Sequence, residues 1–144
     1  MEWREHFIVA MVTLGIVVAC VLLHYEALSG LTRTLKRVPG PSRARILLLI
    51  FCILGLHVAE IWVFGAGYYY LIEDPGRGSL LAGDMGLLDC IYFSAVCFTT
   101  LGLGDIMPVG PVCFMVGTQA LCGFVLIAWS GSFTFVEMQR FWRD

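Results

Sequence analysis

Seven consecutive residues, Thr99 to Asp105, read TTLGLGD and carry the most distinctive chemistry in the chain. Glycines stand at alternate positions, 102 and 104, and glycine adopts backbone angles that are closed to other residues. A short ribbon of this composition can therefore turn successive carbonyl oxygens to one side. Carbonyl oxygens in a ring can replace the water around a dehydrated cation, and one chain supplies only one side of such a ring. The segment predicts a cation site that several copies of the chain build together.

A second group of polar residues lies inside an apolar segment. His57 and Glu60 are three residues apart, which places them on one face of a helix. Two interpretations stay open: a hydrogen-bonded pair that holds helices together, or a proton-sensitive contact behind the ion site. His24 and Glu26 are expected at the membrane interface. None of the three histidines has metal-ligand spacing along the chain, and no catalytic set or phosphate loop is present, so we expect no enzyme.

The composition indicates what surrounds these residues. Of 144 residues, 59% are hydrophobic and 14% are charged, and the mean hydropathy is +0.85. Soluble domains contain about 25% charged residues, so a water-soluble protein is excluded. The formal net charge of -2 gives no basic signature for nucleic acid. The six cysteines show no CxxC spacing and are predicted to be small buried apolar residues.

Three apolar segments, at residues 7–28, 46–72 and 112–136, are long enough to cross a bilayer, which takes about 20 residues. A fourth, 86–98, is too short to cross and predicts a re-entrant helix directly before TTLGLGD. Asp84 and Asp89 stand at its start, where acids favour the positive end of the helix dipole. The expected organisation is a helix over 1–30, a basic loop over 31–45, a pore unit over 46–136 and a tail over 137–144.

The few charged residues predict the orientation. The connection 31–45 holds five basic residues and no acidic one, so it is expected in the cytoplasm. The loop 73–105 holds five acidic residues and one basic residue, and is expected outside. The N-terminus is then outside, and the C-terminus, with Arg140 and Arg143, is cytoplasmic. The predicted location is the plasma (inner) membrane.

The order span, short helix, TTLGLGD, span resembles the pore module of tetrameric potassium channels, whose filter is usually T-V-G-Y-G-D. The resemblance covers residues 46–135. It implies an all-α membrane protein with three transmembrane helices and a re-entrant pore helix, assembled as a homotetramer in lipid. It also implies passive K+ conduction without a cofactor. The implied filter consists of Thr100, Leu101, Gly102, Leu103 and Gly104, with K+ at the first four.

The resemblance also implies roles for residues around the filter. Asp105 occupies the place of the acid at the outer mouth, and Tyr92, Phe93 and Thr99 occupy positions that support the filter. Gly123 lies where many members have an inner-helix hinge, although a close-packing site is the alternative that small residues in membrane helices favour.

Three positions depart from the family pattern. Leu103 replaces Tyr or Phe, Leu101 replaces Val or Ile, and Val96 stands where some members carry a pore-helix acid. Leucine at the aromatic position occurs in some second filters of two-pore-domain channels. The alternatives are therefore a weakly selective cation channel, a non-conducting accessory subunit, or one repeat of an ion-uptake transporter. The segment 7–28 has no counterpart in the two-span module and contains no Arg or Lys to sense voltage.

Overall fold

The computed structural model describes residues 2–39, 41–82 and 85–143. Asp84 lies outside the described residues, as does the side chain of Arg143, so the expectations for both stay predictions. The elements are α1 (Glu2–Leu35), α2 (Ser42–Ile72), a 3-10 turn (Pro75–Arg77), β1 (Ser79–Leu81), α3 (Leu87–Phe98), β2 (Met107–Val109) and α4 (Cys113–Arg143).

Three helices are long and apolar enough to cross a membrane: Trp3–Leu35, Ser42–Ile72 and Cys113–Arg140. The predicted all-α membrane fold with three spans and one short helix is confirmed. Many large apolar side chains on the long helices are exposed, among them Phe51 and Phe124, because lipid or a neighbouring subunit takes the place of water around them.

The long helices extend beyond the apolar segments that predict them. α1 continues past Leu28 to Leu35, so that Arg33 lies in its last turn. α2 begins directly after Pro41, whose φ of -68° suits a helix start and whose ring removes a backbone donor. The basic connection expected over residues 31–45 is therefore largely helical, and only residues 36–41 separate the two helices.

The short helix α3 packs between α2 and α4, while α1 packs on the other side of the same two helices. Close approach to α3 depends on glycine at two places. A Cβ added to Gly65 of α2 lies 2.8 Å from the Cα of Ile91, and one added to Gly123 of α4 overlaps the carbonyl group of Phe98. Larger residues at these positions force the helices apart.

A small antiparallel sheet, which the sequence did not predict, joins the two ends of the segment that contains α3. β1 pairs with β2 in the register Ser79↔Val109 and Leu81↔Met107. The amide of Val112 also donates to the carbonyl oxygen of Arg77 at 2.9 Å. The start and the end of the segment between α2 and α4 therefore lie side by side.

The ends of the long helices sort into two groups. Arg77, at the end of the 3-10 turn that follows α2, lies 3.5 Å from Glu5 near the start of α1 and 3.5 Å from Asp74. The N-terminus of α1 thus lies beside the acidic loop. A separate apolar cluster of Leu28, Leu35, Leu49 and Ile53 packs with Phe133 of α4, next to the basic connection. The basic connection and the end of α4 are on the opposite side from the TTLGLGD segment.

Candidate functional site

α3 lies directly before the TTLGLGD segment and positions its first residue. Its start is held by Asp89, whose Oδ2 accepts a hydrogen bond from the Gly86 amide at 2.9 Å. One face of the helix is buried, and its last three residues, Val96, Cys97 and Phe98, are all buried. Because the C-terminal end of a helix carries partial negative charge, α3 presents that charge to the residues that follow it.

The backbone after α3 alternates between positive and negative φ angles. The φ angles of Thr100, Gly102 and Gly104 are +58°, +59° and +77°, and no other residue between 99 and 105 has a positive φ. A Cβ added to Gly102 or Gly104 meets nothing within 4 Å, so the backbone angle, and not lack of space, requires glycine there. Thr100 is the only non-glycine residue with positive φ among the described residues.

The TTLGLGD segment is open on one side in a single chain. Residues 99–105 are all exposed, and the side chains of Leu101 and Leu103 are 63% and 57% exposed. The base of the segment is anchored by the amide of Leu101, which donates to the carbonyl oxygen of Val96 at 3.0 Å. Beneath it, Phe98, Thr99 and Thr100 share a recess with Phe124, Ile127 and Ala128 of α4.

The far end of the segment is tied back to α3. The hydroxyl of Tyr92 donates to Oδ2 of Asp105 at 2.6 Å, and both groups lie at the surface. This hydrogen bond to a carboxylate, together with some desolvation, raises the pKa of Tyr92 above its usual value. This bond therefore holds the C-terminal end of the TTLGLGD segment against the middle of α3, 13 residues earlier in the sequence.

The other two predicted support residues have different partners. The ring of Phe93 meets the ring of Tyr68 edge to face, with centroids 5.1 Å apart. The hydroxyl of Thr99 donates to the carbonyl oxygen of Ala95 in its own helix at 2.8 Å. Phe93 thus fixes α3 against α2, while Thr99 caps the end of α3.

A buried polar network that the sequence pattern did not predict lies behind α3. Tyr68 of α2 donates to Oε1 of Gln119 at 2.7 Å, and Nε2 of Gln119 lies 2.7 Å from Oγ of Ser94. Ser94 in turn donates to the carbonyl oxygen of Ile61 at 2.8 Å. Gln119 of α4 therefore bonds to both α2 and α3. A lone serine on the apolar helix α3 is the signal that could have identified Ser94.

Gly123 lies where α4 touches the C-terminal end of α3. It is buried, and an added Cβ comes within 2.9 Å of the carbonyl carbon of Phe98. This contact favours the close-packing interpretation of Gly123. The hinge role stays a prediction.

A third polar cluster joins α1 to α2. Nδ1 of His24 lies 2.8 Å from Oε1 of Glu60, and Nδ1 of His57 lies 2.9 Å from Oε2 of the same carboxylate. His24 and Glu60 are fully buried, and Oγ of Ser130 on α4 is 3.3 Å from Nε2 of His24. The expectation that His24 lies at the interface is wrong, because the packing of α1 on α2 buries it. Glu26 is exposed, as expected.

The comparisons with known proteins agree with this geometry. The sequence pattern of the family described as "Ion channel" matches residues 56–140, more than half of the chain. The mouse protein "Potassium channel subfamily K member 7" is 31% identical over 101 residues, which cover 56% of this chain and 33% of the mouse protein. The chain therefore spans about a third of the length of that relative. No solved structure matches.

The family match runs from the second half of α2 through α3 and the TTLGLGD segment to Arg140 in α4, and the whole of α1 precedes it. It confirms the resemblance to a channel pore module that TTLGLGD and its flanking helices indicated. It also favours a channel over an enzyme. The chain belongs to the ion channel family.

Proposed function

We propose that the chain forms the pore of a potassium-selective channel, in which four identical copies surround a central path for passive K+ flow. The observation that carries the proposal is the alternating left-handed backbone at Thr100, Gly102 and Gly104, directly after the buried end of α3. In this proposal the Thr100 hydroxyl and the carbonyl oxygens of residues 100–104 are the K+ ligands, and Asp105 is the acid at the outer mouth.

Electrostatics supports a cation as the permeant ion. The negative end of α3 lies at the start of the TTLGLGD segment, and the exposed carboxylate of Asp105 lies at the end of the same segment. Both features attract cations and repel anions. The name of the mouse relative, a potassium channel, supports K+ among the cations.

The exposure of the ribbon supports assembly. Two large aliphatic side chains, Leu101 and Leu103, stand more than half exposed beside the proposed ion ligands. A ribbon of this kind at membrane depth requires protein or a water-filled path around it, because lipid cannot satisfy its backbone groups. In this proposal neighbouring copies provide the surrounding protein, and the central pore provides the water-filled path.

The two groups of helix ends support one orientation of the chain in the membrane. In this proposal the side that holds the N-terminus, Arg77 and the ribbon faces outward, and the basic connection and the end of α4 face the cytoplasm of a plasma-membrane protein. The basic residues of the connection, Arg33, Lys36, Arg37, Arg43 and Arg45, support this assignment.

The proposal is tested by ion flux in liposomes that contain the purified protein, with K+ and Na+ gradients compared. We expect K+ flux to exceed Na+ flux clearly, and we expect Gly104→Ala to abolish it, because alanine is strained at a φ of +77°. The matched control is Gly55→Ala, since a Cβ at Gly55 meets nothing within 4 Å and its backbone is helical.

The outcomes separate the alternatives. Equal K+ and Na+ flux indicates a weakly selective cation channel, which the absence of an aromatic ring at Leu103 favours. No flux of either ion indicates a non-conducting accessory subunit. Chemical crosslinking in the same membranes tests the assembly, and a ladder that ends at dimers contradicts four identical copies.

A further inference from the structure

We propose that His24, His57 and Glu60 form a binding site inside the membrane for a divalent transition-metal ion of the zinc class. The three side chains offer two imidazole nitrogens and a carboxylate oxygen, and these atoms all lie within 4.8 Å of one another. α1 supplies one ligand, and α2 supplies the other two. The proposal does not depend on ion conduction, since it concerns the helices beside the pore.

The distances are close to those that a metal requires. A tetrahedral Zn2+ with bonds of about 2.0–2.2 Å places its ligand atoms roughly 3.3 Å apart. The nitrogen atoms of His24 and His57 lie 2.8 and 2.9 Å from the two oxygens of Glu60. These two distances are about 0.5 Å shorter than the separation in a zinc site, a difference that movement of the side chains can supply.

A neighbouring hydroxyl suits the ligand geometry of His24. When Nδ1 of a histidine binds a metal, Nε2 carries the proton and donates it to a nearby acceptor, which fixes the ring orientation. Oγ of Ser130 lies 3.3 Å from Nε2 of His24 and is itself almost fully buried. Ser130 is thus placed as the acceptor that holds His24 in the metal-binding tautomer.

The donor types and the burial select the class of ion. Two imidazoles and one carboxylate suit zinc and its transition-metal neighbours, whereas Mg2+ and Ca2+ prefer sets made of oxygen alone. A carboxylate in an apolar interior is costly without a compensating charge. Zn2+ compensates Glu60, and a hydroxide at the fourth position makes the site neutral.

The site connects the helix that precedes the family match to the pore module. The ring of His24 lies 5.1 Å from that of Trp129 in α4, and the ring of His57 lies 5.7 Å from that of Phe98 at the end of α3. A bound ion therefore links α1 to α2 beside the base of the pore helix. The bound form is expected to resist thermal unfolding.

The test uses the full chain, purified in detergent, stripped with EDTA, exposed to Zn2+ and dialysed. We expect one zinc ion per chain by elemental analysis, and loss of that ion in His24→Gln, His57→Gln and Glu60→Gln. His6→Gln is the matched control, because His6 lies outside the cluster and this variant is expected to retain the ion. Circular dichroism and gel filtration establish that each variant is folded.

Two further readouts keep the test decisive if a ligand variant fails to fold. Ser130→Ala leaves the three ligands intact and is expected to weaken zinc binding about 10-fold. Zinc is expected to raise the melting temperature of the wild-type protein by about 5 °C, and to have no such effect on the folded ligand variants. The proposal is wrong if the folded wild-type protein retains no zinc, or if the ligand variants retain as much as the wild type does.

Discussion

At the scale of single residues, the proposed filter differs from an ordinary loop more in its backbone angles than in its side-chain chemistry. Gly102 and Gly104 have free space around them, so their left-handed φ angles explain why they are glycine. Thr100 adopts the same region with a Cβ present, which costs about 1–2 kcal/mol. Because the next amide, that of Leu101, bonds to Val96, the end of α3 holds Thr100 in this conformation.

Tyr92 carries a pH-dependent contact at this scale. The carboxylate of Asp105 disfavours the negative phenolate, so the raised pKa of Tyr92 keeps the hydroxyl protonated above pH 10, the usual value for tyrosine. The contribution of the bond to stability is thus complete below about pH 10 and is lost as the pH rises through the raised pKa. We expect the tyrosinate absorbance that Tyr92→Phe removes to titrate above pH 10.

The control for this titration is Asp105→Asn, which removes the charge but keeps an acceptor oxygen. In that variant the Tyr92 component is expected to move back toward pH 10. A Tyr92 component that titrates at pH 10 in the unmodified protein contradicts the contact.

At the scale of elements, α3 is held between α2 and α4 by close packing and by buried hydrogen bonds. Gly65 and Gly123 bring the long helices against its sides, and the network of Tyr68, Ser94 and Gln119 connects all three helices. Such buried bonds contribute only about 0.5–1.5 kcal/mol each, but an unpaired member costs more. They therefore specify the position of α3 as well as stabilise it.

The contact at Gly123 predicts opposite effects for two glycine substitutions on α4. We expect Gly123→Ala to destabilise the protein by about 1–3 kcal/mol, since the new Cβ overlaps the carbonyl group of Phe98. Gly117→Ala is the control, because its Cβ meets nothing and alanine favours a helix by up to about 1 kcal/mol. Thermal unfolding followed by circular dichroism measures both. Equal effects at the two positions contradict the packing role.

Hydropathy and length were sufficient to predict the three spans and the short helix. The boundaries were predicted less well, because polar residues such as Thr32 and Thr34 continue α1 by bonding to its own carbonyl groups. The sheet of β1 and β2 has only three residues in each strand and includes Pro108, so no alternation of apolar and polar residues predicts it.

The sites were predictable to the extent that they are local in sequence. TTLGLGD is contiguous, and its glycines predicted unusual backbone angles at positions 102 and 104, although not the positive φ of Thr100. His24 joins Glu60 across 36 residues, and Ser94 joins Gln119 across 25 residues, so only the packing of whole helices brings these pairs together. A pattern in one helix cannot identify its partner in another.

At the scale of the whole molecule, the acidic loop and the basic connection lie at opposite ends of α2. Arg77 brings the N-terminus of α1 to the side of the acidic loop, and the basic connection lies on the other side. In the proposed orientation, α1 therefore begins on the outer side, and all three long helices contribute to the separation of the two charged segments.

Thiol labelling of intact cells tests this orientation. In a background that lacks the two exposed cysteines, Cys52 and Cys113, exposed positions are replaced one at a time. A membrane-impermeant maleimide is expected to label Glu73→Cys from outside, and Lys36→Cys only after the cells are permeabilised, because the two residues lie at opposite ends of α2. Labelling of Lys36→Cys in intact cells contradicts the proposed orientation and indicates the opposite one.

The left-handed backbone at Thr100, Gly102 and Gly104 is anchored within the chain itself, by the Leu101 amide on Val96 at one end and by the bond between Tyr92 and Asp105 at the other. The conformational entropy of the TTLGLGD segment is therefore lost mainly when the chain folds. In the proposed tetramer, the free energy of association then depends on contacts between the copies and little on reshaping this segment.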